Sequence, residues 1–335
     1  MRKSRVAVLV VVVLLIAAST GAALVALAWY RDPLPLPRSP FEFDVRAGAA
    51  LSTVARSLRD AGVLPHSAAL TLLARVRGRD RAIKAGSYEI EQGITLPELL
   101  EKLTQGDVTQ TAVTIVEGTT FADLKRALRE TTQVAHDVVD LPDAELLARI
   151  GAVESSPEGL FFPDTYFLAT GSSDAALLKR AYRALHERLD AAWARRASDL
   201  PLASAYEALI LASIVEKETG DSSDRPLIAS VFVNRLKRGM RLQTDPAVIY
   251  GMGARFDGNL RKRDLETDSP YNTYVRDGLP PTPIAMPSQA SIDVVVNPPS
   301  TGYLYFVSRG DGRSEFSANL IDHNRAVSKY QKGGR

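Results

Sequence analysis

The apolar positions of this chain fall into three kinds of pattern: one long unbroken run, a short phrase used three times, and a series of helical stripes. The run covers Val6 to Ala28, 23 residues without a charge, which is long enough to cross a bilayer as one helix. Arg2, Lys3 and Arg5 precede it and Trp29 and Tyr30 follow it. That is the arrangement of a cytoplasmic positive flank and an interfacial aromatic pair. A cleaved signal peptide is the other reading. Its apolar stretch is ordinarily only ~7–15 residues, although the small residues from Ser19 to Ala23 leave cleavage open. No second apolar run of that length follows, so an uncleaved anchor would leave nearly all of the chain outside the cytoplasm.

The repeated phrase emerges when glycines are aligned. Its copies are Val45, Gly48, Leu51, Val54, Leu58; Ile90, Gly93, Leu96, Leu99, Leu103; and Ile115, Gly118, Phe121, Leu124, Leu128, with the same offsets of +3, +6, +9 and +13 in each. The phrase predicts a strand, a glycine turn and a helix with one apolar face. Such a unit cannot bury that face alone, so the copies are expected to pack on one another or on the rest of the chain. Ala61–Gly78 reads as a further helix between the first two copies, and the third copy opens a second domain. Ahead of the repeat, Arg31–Pro40 is proline-rich and reads as an extended, stiff spacer holding the folded part away from lipid.

Helical patterns continue through Glu130–Val153, with Leu146, Leu147 and Ile150 on one side, Asp174–Ala197, Tyr206–Gly220 and Pro226–Arg238. Beyond Gly239 prolines multiply and the chain reads as loops, with Tyr303–Ser308 the clearest strand. An irregular stretch as long as Gly251–Pro287 is unusual unless it builds a site, here the wall of a groove. The expected fold class is α+β.

Tyr206–Gly220 holds the strongest chemical candidate. Ala208, Leu211, Val215 and Glu218 lie at helical spacing, so Glu218 ends an apolar stripe, and Gly220 supplies the stop. Desolvation and the negative end of the helix dipole would both raise the pKa of a carboxyl there, as a general acid requires. The plainer alternative is a solvated, charged helix end. Further polar clusters are Glu158/Asp164/Tyr166, Gln243/Thr244/Asp245 and Tyr271/Asn272/Thr273/Tyr274. Carboxylates, amides, hydroxyls and aromatic rings are what a sugar-binding cleft uses. Each cluster also has a structural reading: Asp245-Pro246 as a helix cap, Tyr271 and Tyr274 as core aromatics, Phe161-Phe162-Pro163 as packing.

Composition narrows the chemistry. The 335 residues suggest roughly two domains. The chain has no cysteine, which excludes disulfides and thiolate metal sites, and its four histidines are not paired at HExxH spacing. Neither SxxK nor GxSxG occurs, and a net charge of +2 gives no argument for nucleic acid. No metal and no cofactor are expected.

Five segments, ASIVEKETG (212–220), EGLFFPDTY (158–166), NRLKRGMRLQTDPAVIYGMG (234–253), SPYNTY (269–274) and GLPP (278–281), closely resemble the YceG-like family. These are endolytic murein transglycosylases, membrane-anchored enzymes of the bacterial cell envelope. The resemblance covers nearly the whole chain. It implies a cytoplasmic stub (1–5), an anchor (6–28), a proline-rich spacer (29–40), a LysM-like α/β subdomain (41–107) and a mixed α+β catalytic domain (108–335). The family's catalytic glutamate falls at the second Glu of the EKET run, which is Glu218. Two positions depart from the family's pattern: Thr282 stands where glycine often follows the Pro-Pro pair, and Met286 where asparagine often precedes the next proline.

The resemblance implies cleavage within glycan strands between N-acetylmuramic acid and N-acetylglucosamine, giving 1,6-anhydro ends. Glu218 would act as acid and then base, with Gln243, Asn272, Tyr274, Tyr166, Asp245 and Glu158 as substrate-binding residues. It implies a single-pass protein of the cytoplasmic membrane with its catalytic domain outside. Its partners would be glycan strands, the membrane, and penicillin-binding synthases with their elongation or division complexes. Two alternatives stand beside it: a non-enzymatic wall-binding scaffold, and a muramidase using water. The muramidase would need a second carboxylate, for which Glu158, Asp164 and Asp245 are candidates.

Overall fold

Each copy of the repeat folds with a strand ahead of a helix that begins at the +6 position. The computed structural model describes residues 20–21, 30–45, 49–80, 82–84, 86–105, 110–132, 134–169 and 172–332. The predicted span Val6–Ala28 lies outside them except at 20 and 21. No helix among the described residues is long and apolar enough to cross a membrane. The copies give β1 (Phe41–Val45) with α1 (Leu51–Asp60), β2 (Gly86–Ile90) with α3 (Leu96–Gln105), and β3 (Gln110–Thr114) with α4 (Phe121–Glu130); α2 (Ser67–Val76) lies between the first two. The repeat's apolar positions are all buried, from Val45, Leu51, Val54 and Leu58 to Ile115, Phe121, Leu124 and Leu128. Gly93 and Gly118 turn at φ +101° and +73°, a region open to glycine and costly for other residues.

The chain divides into two units, Met1–Thr111 with Phe167–Thr170, and Ala112–Tyr166 with Gly171–Arg335. In the first, β1 and β2 pair antiparallel from Phe41↔Ile90 to Val45↔Gly86, and α1, α2 and α3 share one core with them. The proline-rich segment is not a free spacer. Leu34 is buried in that core, its N–H donates to the Ile94 carbonyl at 2.8 Å, and Pro33 bridges Thr95.

The chain continues with α5 (Asp143–Ile150), β4 (Thr165–Ala169), which pairs with β3, and then, in the second unit, α6 (Asp174–Ala194), α7 (Ala205–Glu218), α8 (Arg225–Lys237), α9 (Asp245–Met252), α10 (Lys262–Glu266) and α11 (Gln289–Val296). The second unit closes with an antiparallel hairpin, β5 (Tyr305–Ser308) and β6 (Ser314–Ser317), and α12 (Leu320–Val327). The fold is thus mixed α+β. At its centre is α7, packed by α6, α8, α9 and α11. Every residue from Ala208 to Val215 is buried, so the predicted stripe is one side of a helix enclosed all round.

The helix predicted from Glu130 is confined to α5. Residues 134–142 instead run past the Asp174 carboxylate, which accepts the N–H groups of Asp137, Val138 and Val139 at 2.9–3.3 Å. Pro142 and the left-handed Gly151 bracket the remaining helix. Asp174 is fully buried, so Asp174→Ala leaves the two buried donors of Val138 and Val139 unpaired, along with the part-buried one of Asp137. At about 1–3 kcal/mol for each such group, the urea midpoint is expected to fall steeply; an unchanged midpoint would refute this role.

Candidate active site

Three successive side chains at the end of α7 fasten three different loops. Glu216 accepts the Ser288 N–H at 2.9 Å and the Ser288 and Ser291 hydroxyls at 2.5 and 2.6 Å. It thereby fixes the start of α11, with Arg225 3.7 Å away. Lys217 donates to the Gly118 carbonyl at 3.0 Å. That turn is paired in both directions with the next strip of loop, Gly118 N–H to Met286 O and Met286 N–H to Thr119 O, each 2.8 Å. Glu218 accepts the Thr244 hydroxyl on Oε1 at 2.6 Å, and no described residue donates to its Oε2. Glu216 is therefore a structural anchor and Glu218 the carboxylate with a face to offer. The helix ends because Thr219 turns extended. Gly220 does not supply a left-handed stop; a Cβ there would stand 3.0 Å from the Gly312 carbonyl oxygen.

Thr244 is the N-cap residue of α9, yet its side chain makes no capping bond. A threonine cap contributes about 1 kcal/mol to a helix, and here the hydroxyl serves Glu218 instead. Thr244 is completely buried and pinned on either side. Its N–H donates to the Thr273 hydroxyl at 3.0 Å, and Gln243 N–H to the Thr273 carbonyl at 3.1 Å. Gln243 has φ +49°, a conformation a non-glycine residue keeps only when its surroundings impose it. Arg235 is part of those surroundings. Its Nη1 reaches the carbonyls of Arg241 and Leu242 and the Gln243 Oε1 at 3.2, 2.9 and 3.3 Å, while Nε donates to Leu304 O at 2.7 Å.

Asn272 lies beneath this loop, 1% exposed. Its amide donates to the carbonyls of Asp264, Leu265 and Thr267 and its Oδ1 accepts Tyr274 N–H. It organises the irregular stretch rather than presenting a free amide. Tyr274 donates to Asp245 Oδ1 at 2.5 Å. Burial, reinforced by Asp245 and then Glu218, pushes the Tyr274 phenol up, so it stays a donor. Gln243 and Asp245 are exposed and flank Thr244.

Burial pushes the Glu218 carboxyl up to about 7; the Asp245 charge adds to this, while the Thr244 hydrogen bond and Arg235 oppose it. Burial likewise brings Glu158 to about 7, against the bonds from Phe121 and Tyr250. The two differ in access. Glu158 is 4% exposed, and both its oxygens are occupied, by the Phe121 N–H at 2.9 Å and the Tyr250 hydroxyl at 3.0 Å. It joins the first turn of α4 to α9. Tyr250 meets Tyr271 edge-on at 4.9 Å, and the Tyr271 hydroxyl lies 2.8 Å from that of Thr282. Thr282 thus holds the loop wall by its hydroxyl, and Met286 holds it through its backbone. Tyr166 is buried, with its hydroxyl on the Phe162 carbonyl at 2.7 Å, and belongs to the packing. Asp164 is exposed and accepts the N–H of its neighbour Thr165.

Glu218, Thr244, Asp245, Gln243 and Tyr274 are thus brought together, and Asn272 supports them. Tyr166 and Glu158 are turned to structural bonds. Arg235, Tyr250 and the Ser288/Ser291 pair escaped sequence reasoning, because their partners lie 6 to 92 residues away. The one available signal was a charged residue on the otherwise apolar strip of α8. Among the described residues, no three His, Asp or Glu side chains form a group able to hold a metal.

The sequence model of the YceG-like family matches residues 43–329. An endolytic murein transglycosylase of Bacillus subtilis is 30% identical over 311 residues, 88% of this chain and 85% of that protein. One of Streptococcus pneumoniae is 28% identical over 84% of this chain and 57% of its own length. Among solved structures, a yceG-like protein from Listeria monocytogenes is 27% identical and superposes with a TM-score of 0.52, covering 85% of this chain and 98% of that one.

Proposed function

The chain belongs to the YceG-like family, and from that premise we propose that it is a peptidoglycan lytic transglycosylase with Glu218 as its acid. The observation that carries the reading is one carboxyl group, raised to about 7, oriented by Thr244 through one oxygen and with no donor among the described residues at the other. Protonated Glu218 gives its proton to the glycosidic oxygen between N-acetylmuramic acid and N-acetylglucosamine as that bond to C1 breaks. The centre that develops is oxocarbenium-like. The Glu218 carboxylate then takes the proton from the muramyl C6 hydroxyl as its oxygen closes on C1. The product is a 1,6-anhydro end, the acid is regenerated, and no water is consumed. Asp245, with Tyr274 bonded to it, supplies negative charge beside the reacting centre.

Cleavage falls within strands, and the protein is held at the cytoplasmic membrane by Val6–Ala28, with both folded units outside. There it terminates newly made strands beside the penicillin-binding synthases of elongation or division complexes. The 41–107 segment is the LysM-like part of this arrangement. The nearness of Asp245 to Glu218 favours one competing reading, a muramidase with two carboxylates. Product chemistry separates the two. Full-length protein incubated with purified peptidoglycan is expected to yield anhydro-ended fragments by mass spectrometry. Reducing ends would refute the lyase and support the hydrolase, and intact glycan would point to a binding scaffold.

The same geometry predicts opposite shifts in the pH profile. A general acid must be protonated, so kcat/KM falls as pH rises through about 7, the value Glu218 is pushed to. Thr244→Val removes a bond that favours the carboxylate, which moves this alkaline limb to higher pH. Asp245→Asn removes a like charge and moves it lower. Shifts in the same direction in both variants would contradict the assignment of Glu218.

A further inference from the structure

We propose that the outward face of α2 rests on the anionic phospholipid surface from which the chain emerges, so that the first unit lies on the membrane; the proposal rests on the anchor reading above. The inner face of α2 is built as expected, with Ala69, Leu70 and Ala74 buried. The outer face is not. Ala68, Leu72 and Val76 recur every four residues on the solvent side, where Leu72 is 61% and Val76 77% exposed. Arginines close the C-terminal end of this strip: Arg75, Arg77 and Arg79, with no Asp or Glu between Leu64 and Arg79 and Asp80 next in the chain. A short apolar strip among arginines is the pattern of a helix lying in a bilayer interface.

What fixes the occupant is the route of the chain. Tyr30 stands two residues after Ala28, no more than about 7 Å of chain from the end of the apolar run. Its hydroxyl accepts a bond from Arg77 Nη2 at 2.8 Å, and the same guanidinium lies over its ring at 5.6 Å. A few residues later Leu34 is already in the core of the unit. No slack therefore separates the membrane exit point from the last turn of α2. Anionic headgroups suit the arginines, and the acyl boundary suits Leu72 and Val76.

The absence of cysteine from the chain gives a direct test. Leu72→Cys, with Val76→Cys as a second probe, is labelled with an environment-sensitive dye in the full-length protein. The protein is then reconstituted into vesicles of phosphatidylcholine alone or mixed with phosphatidylglycerol. Thr53→Cys on the exposed side of α1 is the reference. The expected result is a blue shift, and quenching by spin-labelled lipid, at 72 and 76 in the anionic vesicles only. Arg75→Glu is expected to lower the docked fraction, by about fivefold in the docked-to-free ratio for each arginine charge lost. Protein that co-floats with vesicles while both probes stay water-exposed would overturn the docking and leave the anchor intact. Protein that fails to co-float would overturn the anchor, and this inference with it. A shift produced by glycan fragments without lipid would overturn the proposal in favour of a wall-binding face.

Discussion

Glu218→Gln is expected to lower transglycosylase activity by about 10²–10⁴-fold and, at the same time, to make the protein more stable above pH 7. The first effect follows from the loss of a desolvated carboxyl whose second oxygen takes no hydrogen bond from any described residue. The second follows from linkage. A carboxyl raised from its ordinary 4.5 to about 7 favours folding in full below pH 4.5, and that contribution is lost as pH rises through 7. Glutamine does not titrate and keeps its bond from Thr244, so the variant avoids a loss on the order of 3 kcal/mol at alkaline pH. Urea unfolding of both proteins at pH 5 and pH 8 measures it. Equal pH dependence in the two would show that Glu218 is not desolvated. The comparison with Glu158→Gln decides which raised carboxyl is the acid. That variant is expected to keep activity, because both oxygens of Glu158 are engaged by Phe121 and Tyr250.

Arg235→Lys is expected to impair the site without touching it. An ammonium cannot bridge Leu304 on one side and the 241–243 strip on the other as the guanidinium does. Two or more carbonyls are left without their donor, which costs roughly 2–5 kcal/mol in all. The left-handed Gln243 then loses its clamp and Thr244 its fixed position beneath Glu218. The expected outcome is a fall in kcat of about 10²-fold from misplacement alone, together with a lower urea midpoint. A lower midpoint with unchanged kcat would show that the loop keeps its geometry without Arg235.

What could be read in the sequence was whatever repeats at short range. The three glycine phrases gave strand and helix in register because each apolar offset is set by local geometry. Glu218 was preferred to Glu216 because a period of 3.6 carries it on the apolar stripe. The failures share one cause. Residues 131–142 have a helical pattern, but Asp174, 35 to 37 positions away, takes their amides. Asn272 and Tyr166 are the right residue types for gripping sugar, and which of their polar atoms are already occupied depends on the folded chain. Arg235 is part of an ordinary helical sequence until the 241–243 strip folds over it. Periodicity reports on a helix's own neighbours, and a site is made from distant ones.

The fastening of α7 has a consequence for when the protein becomes competent. The helix bearing Glu218 is clamped at Glu216 by Ser288 and Ser291, 72 and 75 residues further along, and the strip holding Thr244 is braced by Arg235 against Leu304. A ribosome delivers the glutamate long before it delivers these braces. A nascent or prematurely terminated chain ending before residue 288 would therefore bear the acid with nothing to aim it. By the proposed mechanism only a chain extended past Leu304 would cut, so shorter degradation fragments and stalled products would be harmless to the polymer around them.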